Sequence, residues 1–378
     1  MKKGRIVFSI LLAIVMVVSF AACSSGGGSS SDAAQAGSSA AAPADDAAAE
    51  GGNGGYTIGR IAYQMGHAYH VADCKFFEEY ANADGNEVIF YDGNADGQTM
   101  LEQAEDLISK GVDGVVMQPA DQGVANTLVQ NLQDAGIPVV TFVNKPTEPS
   151  ITNPHVELNE YPAAFEMGQL AATKWKEWYP DKPIKVGIFD LPSVQQVHEQ
   201  RAMAFMDGIL DIDPEAELVS ILDGGGDTEK SYAAAQDMLQ SHPEVNIVFG
   251  INATSCLGAL AAFEEVGRGT ATDAIPDTEL FASCDGTDAE GMKIFNPNSS
   301  LKMTMGLVPS TFARTQYDTL MDILTGKIEM TDDVSVPVTD GLFDYWSNTL
   351  DEYEEWLVDE YGMEPGYADN VRKELGIE

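Results

Sequence analysis

From Thr57 onward the chain alternates short, β-rich apolar runs with amphipathic stretches of helical period, and few architectures accept that rhythm. Strands are expected at 58–63, 88–91, 114–117 and 138–143, with helices over 71–83, 100–109 and 124–135 between them. In the first helix Val71, Phe76, Phe77 and Tyr80 recur at helical spacing. The strands are almost continuously apolar, as in a parallel sheet covered on both faces. Gly-Val-Asp-Gly at 111–114 and Ala-Gly-Ile-Pro at 135–138 end helices just before strands begin.

A second set repeats the theme, with strands expected at 184–189, 217–222, 246–251, 279–284 and 300–305. The segments 115–120 and 247–253 look like one strand-to-loop corner used twice. The prediction is an α/β protein of two similar Rossmann-like lobes, each built on a parallel sheet. In open sheets of this kind a ligand sits beyond the carboxyl ends of the strands, so the loops there are the ones to search.

The first 55 residues carry a different message. Lys2, Lys3 and Arg5 precede an apolar run from Ile6 to Ala22, too short and too closely followed by small residues for a stable transmembrane helix. Phe20-Ala21-Ala22-Cys23 resembles the end of a bacterial lipoprotein signal, which implies a signal peptide over 1–22 and lipidation of Cys23. An ordinary secretory signal with an incidental cysteine is the alternative. Residues 24–55 hold no aromatic, basic or large aliphatic side chain, so 23–55 is expected to be a disordered Gly/Ser/Ala tether. The anchored chain would be extracytoplasmic, held at the membrane by its lipid alone.

Charge narrows the partners. Twenty basic residues against 60 acidic ones give −40, which falls to −43 once residues 1–22 are removed. Nucleic acid and anionic lipid would be repelled by such a surface. Four cysteines with no Cys-x-x-Cys pair are too few for a disulfide scaffold; Cys74, Cys256 and Cys284 are expected as buried thiols.

Five segments carry a family resemblance through their order and spacing. They are Gly-Val-Val-Met-Gln-Pro-Ala-Asp at 114–121, Ala-Gly-Ile-Pro-Val-Val at 135–140, and Arg201 followed by Phe205. Phe249–Asn252 with Leu257–Ala259 and Cys284–Thr287 complete the set. Over roughly 57–340 the chain resembles type I solute-binding proteins of ABC importers, in the ribose/galactose-binding group. That resemblance implies a type I periplasmic binding protein fold, with the lobes joined by a three-crossing hinge near Leu158, Leu307 and about Pro337. The lobes would be 56–158 plus 308–336 and 159–307 plus 337–348, followed by a helical extension over 349–378.

The same resemblance implies ligand contacts at His67, Tyr69, His70, Gln118, Asn144, Arg201, Asn252 and Asp285. Asp285 would accept bonds from hydroxyls, or else cap the helix starting near Asp288. Arg201 would donate a bidentate pair into the cleft, or form a surface ion pair with Glu199 or Asp190. Asn252 and Gln118 sit at matching corners, where binding and helix capping are both open. His67, Tyr69 and His70 can stack or hydrogen-bond, or simply start a helix on an exposed loop. Asn144 stands where family members often carry an Asp-Arg pair. Leu158 and Leu307 replace usual polar contacts, so the pocket is expected to be less polar than a ribose site.

Other chemistry finds no support. Asp92–Gln98 opens like an EF-hand loop but has Gln103 where the bidentate glutamate belongs. His198-Glu199 lacks a second histidine four residues on, 224–226 is not a phosphate loop, and no Gly-x-Ser-x-Gly elbow occurs. No enzyme activity, metal or cofactor is expected. The expected partners are a small ligand, most simply a monosaccharide or derivative, and an ABC permease, with the protein acting as a monomer. A furanone signal, nucleoside or polyol as ligand, and a sensor kinase as partner, remain alternatives.

Overall fold

The computed structural model describes residues 55–377; the signal peptide, Cys23 and all but the last residue of the tether lie outside the described residues. The chain first lays down β1 (Thr57–Ala62), α1 (Ala68–Ala83), β2 (Glu87–Asp92) and α2 (Gly97–Lys110). It continues through β3 (Gly114–Met117), α3 (Gln122–Asp134), β4 (Val139–Phe142) and β5 (His155–Asn159). After Glu160 a second lobe begins with α4 (Tyr161–Trp178), β6 (Lys185–Asp190) and α5 (Gln195–Val197). A π-helical turn, His198–Met203, leads into α6 (Ala204–Ile212), β7 (Glu217–Asp223), α7 (Thr228–Ser241), β8 (Ile247–Gly250) and α8 (Ala253–Glu265). A small ribbon, β9 (Ala271–Thr272) with β10 (Ile275–Pro276), precedes β11 (Leu280–Asp285), α9 (Asp288–Ile294) and β12 (Leu301–Gly306). The chain then returns to the first lobe as α10 (Pro309–Leu324) and β13 (Ser335–Thr339). It ends in the second as β14 (Gly341–Asp344), α11 (Leu350–Tyr361) and α12 (Tyr367–Leu375).

The two sheets have the same strand order, β13-β5-β4-β3-β1-β2 and β14-β12-β11-β8-β6-β7. Every pairing in the first is parallel, whereas β14 runs antiparallel to β12. The expected pair of parallel sheets is thus met except at that edge. The central strands β3, β4 and β8 are buried throughout, which is why they read as nearly continuous apolar runs.

The third crossing differs from expectation. Pro337 was expected to mark it, yet β13 stays in register with β5 through Thr339 opposite Asn159. The chain crosses at Asp340 instead. β13 is an edge strand, where a proline has no ladder donor to lose.

Two features stiffen the second lobe. An added Cβ at Gly168 of α4 would lie 2.1 Å from the Phe205 carbonyl oxygen, and one at Gly208 of α6 would lie 2.0 Å from that of Phe165. The two helices therefore touch backbone to backbone at reciprocal glycines. The C-terminal helices pack into the same lobe, burying Leu350, Tyr353, Leu357, Ala368 and Val371 with Phe281 and Phe295. Thr349 opens α11 with a capping box closed by Glu352.

Candidate functional site

Matching corners of the two lobes face each other. After β3, Asp121 caps α3 by accepting from the Val124 N–H; after β8, Asn252 caps α8 by accepting from Ser255. Both caps have φ −154° and ψ 173°. At the ends of the fourth strands stand Val143 (φ 60°) and Asp285 (φ 123°), two non-glycine residues with positive φ. At the ends of the fifth stand Leu158 and Leu307.

Between these corners lies a cavity of about 180 Å³. The first lobe contributes His67, Tyr69, His70 and Gln118, along with Tyr63 and Gln64. The second contributes Arg201, Asn252 and Asp285, with Leu191, Val194 and Ile251 beside them. Leu158 and Leu307 close the hinge side. Seven of the eight residues expected from sequence are therefore brought together.

Asn144 is the exception. Its buried amide donates to the carbonyls of Pro119 (3.0 Å) and Ala120 (3.5 Å), tying one corner to its neighbour rather than lining the cavity. Gln118 caps nothing, because Asp121 takes that work. Asn252 does both jobs, lining the cavity while capping α8. Asp285 does not cap α9, which Thr287 and Glu290 close by themselves.

Asp285 is the electrostatic centre. Its Oδ2 accepts from the Ala253 N–H at the head of α8 (2.8 Å) and lies 3.0 Å from His67 Nε2. His67 belongs to the first lobe, so this ion pair spans the cleft and the lobes are closed upon each other. Burial pulls the His67 imidazole toward neutrality, but the charge and hydrogen bond of Asp285 reverse this and its pKa is raised. His70 goes the other way: burial first, then His67 and the nearby guanidinium groups, hold it well below the usual range. His70 is ringed by Tyr63, His67 and Tyr69, with centroids 5.7, 5.9 and 5.3 Å away.

Arg201 departs from its expected geometry. Its fork is taken by Glu160, Nε donating to Oε2 (2.7 Å) and Nη2 to Oε1 (2.5 Å). Nη1 donates to the Ile251 carbonyl (3.0 Å) and stands 3.8 Å from Asp285 Oδ1. Neither surface partner is used, since Asp190 pairs with His198 Nδ1 (2.6 Å) and Glu199 accepts from Gln195 (2.7 Å). Glu160 and Asp340, at the first and third crossings, were not foreseen. Burial, then the negative charge of Glu160, raises the Asp340 carboxyl well above its ordinary range. Glu290, buried behind Asp285, is likewise pushed up to about 7 by burial and by Asp285. The sequence clue to Glu160 was its place just before Tyr161-Pro162, a proline at a helix start.

Several buried polar atoms around the cavity have no partner in the protein. They are His67 Nδ1, the Tyr69 hydroxyl and Gln118 Oε1. Unpaired groups of this kind cost roughly 1–3 kcal/mol each when left dry, and all three belong to residues that line the cavity.

The sequence profile of the family described as periplasmic binding protein domain matches residues 58–328. The ribose import binding protein of Bacillus subtilis is 27% identical over 219 residues, 56% of this chain and 67% of its own. The D-ribose/D-allose-binding protein of Pseudomonas aeruginosa is 26% identical over 249 residues, 61% of this chain and 75% of its own. A solute-binding protein from Actinobacillus succinogenes, solved with bound D-allose, superposes with a TM-score of 0.65 at 18% identity, covering 77% of this chain and 98% of that one.

Proposed function

Since the chain belongs to the periplasmic binding protein domain family, we propose that it captures a small, neutral, polyhydroxylated ligand, a monosaccharide or derivative, and hands it to an ABC permease. The carrying observation is that His67, Tyr69 and Gln118, each with a buried polar atom that has no protein partner, all line one cavity between the lobes. A sugar ring offers hydroxyls that donate and accept in any direction, which suits an imidazole nitrogen, a phenol and an amide oxygen together. Neutrality follows from the pairing of the charges. Arg201 is matched by Glu160, and Asp285 by His67, so the site has no spare full charge for an ionic ligand. The names of its relatives, which bind ribose and allose, support the same class.

The mechanism is a hinge equilibrium: the ligand meets both walls only when the lobes are closed, so it shifts the population toward that form. A wrong epimer leaves a buried group unpaired and loses about 1–3 kcal/mol at that position. The binding role requires no chemistry from the protein. Anchoring through lipidated Cys23, an extracytoplasmic location and a monomeric state belong to this proposal. Labelling with a fatty acid that is lost in Cys23→Ser tests the anchor. Calorimetry against pentoses, hexoses, polyols and nucleosides tests the ligand class: saturable binding of one monosaccharide group is expected, and silence across all sugars would refute the assignment.

A further inference from the structure

The C-terminal helix α11 touches both lobes, and it does so with neighbouring residues. α10 of the first lobe begins without a cap of its own, since Val308 supplies no side-chain acceptor and no acidic residue lies in its first turn. Glu360, from α11, fills that role. Its Oε2 accepts from the N–H groups of Ser310 (3.0 Å) and Thr311 (3.1 Å), and its Oε1 from the Thr311 hydroxyl (2.8 Å). A carboxylate at a helix start is favoured by both the free donors and the helix dipole. Just beyond, Lys75 of α1 donates to the Gly362 carbonyl (3.5 Å).

Tyr361 turns the other way. Its hydroxyl donates to the Asp285 carbonyl (2.8 Å), and two turns earlier Tyr353 donates to that of Thr287 (2.8 Å). Trp356 occupies the space over Gly286, where an added Cβ would meet its ring at 2.3 Å. Asp285 has φ 123° and Gly286 φ 75°, a conformation that persists in an aspartate only where surroundings over-determine it. The ring and hydroxyls of α11 are those surroundings.

We propose that α11 is a clasp, in which Glu360 sets the closure equilibrium and Tyr361 holds Asp285 in binding geometry. Both are positioning residues; neither lines the cavity. The inference rests on hinge closure around a ligand as argued above. Solution scattering of the ligand-free protein, with calorimetry against D-ribose and D-allose, tests it. Glu360→Ala should raise the ligand-free radius of gyration and weaken sugar affinity about three- to thirtyfold, the range of losing a helix cap. Glu360→Gln, which keeps one acceptor oxygen, should recover part of both. Tyr361→Phe should weaken affinity with the radius unchanged, which a merely structural role would not do. Unchanged scattering and affinity in Glu360→Ala would overturn the clasp. Shifted scattering in a protein that binds neither sugar would leave the clasp standing and exclude ribose and allose as its ligands.

Discussion

The two lobes share strand order, cap geometry and even positive φ at the end of the fourth strand, yet they present different chemistry to the cavity. At equivalent corners the first lobe shows Val143 where the second shows Asp285. Each lobe also buries one arginine, but Arg60 pairs with Asp73 beneath β1, whereas Arg201 pairs with Glu160 at the cavity wall. Apart from His67, which pairs with Asp285 across the cleft, the first lobe supplies neutral and aromatic groups, and the second supplies a charge network tied to the hinge. Duplicated backbone fixes where a site sits; it leaves the side chains free to divide the work.

The largest effects should come from the two arginines. Arg201→Leu leaves Glu160 beside Asp340 without its cation, and Arg60→Leu strands Asp73; each should cost about 3–5 kcal/mol in urea titrations. Only Arg201→Leu should abolish ligand binding in the folded fraction. If Arg60→Leu does so as well, the division of labour is wrong. Next come the fourth-strand corners. Asp285→Asn should weaken binding about ten- to a hundredfold by calorimetry, the range for a charged hydrogen bond. Val143→Gly should stay within about threefold in affinity, with a melting temperature lowered by the lost burial of the side chain and only partly offset by relief of its positive φ.

The pH dependence separates neighbours on one loop. His67 has a raised pKa, so its stabilisation is fully present below about pH 6.5 and is lost as pH rises through the raised value. His70 has a lowered pKa, so its contribution is present above about pH 6.5 and fades as pH falls toward the lowered value. Melting temperature of the ligand-free protein should thus decline on both sides, with His67→Gln flattening the alkaline limb and His70→Gln the acid one. The alkaline limb will not vanish altogether, since Glu290, with its pKa near 7, loses stabilisation in the same direction. Smallest are the twin caps: Asp121→Ala and Asn252→Ala should each cost about 1 kcal/mol of stability. Only the second should alter affinity; equal affinity losses would mean that the first lobe's corner also reaches the ligand.

Much of the architecture was legible because parallel strands buried on both faces advertise themselves as apolar runs, and because each corner carries a capping residue. The hinge was harder to read. β5, with His155 and Glu157, and β13, interrupted by Pro337, lack the apolar signature of central strands, so the third crossing was placed three residues early. In the cavity, residues set by local corner geometry were found, while those set by distant pairing were not. Glu160 meets Arg201 across 41 positions of sequence, and nothing local announces that partnership. Asn144 misled for the opposite reason: the resemblance implied a ligand contact there, but its amide is spent on the carbonyls of Pro119 and Ala120.

The reciprocal glycines of α4 and α6 carry one more consequence. Glu160 stands at the head of α4, and Arg201 lies on the turn that runs into α6. Because Gly168 and Gly208 leave no slack between those helices, the two charges ride on a single rigid lever whose fulcrum is the hinge. If the proposed closure occurs, it would carry Arg201 with α4 and α6 as one body. New ligand preferences can thus arise by exchanging residues such as Val143 or Leu158, while the lever itself tolerates no larger side chain at either glycine.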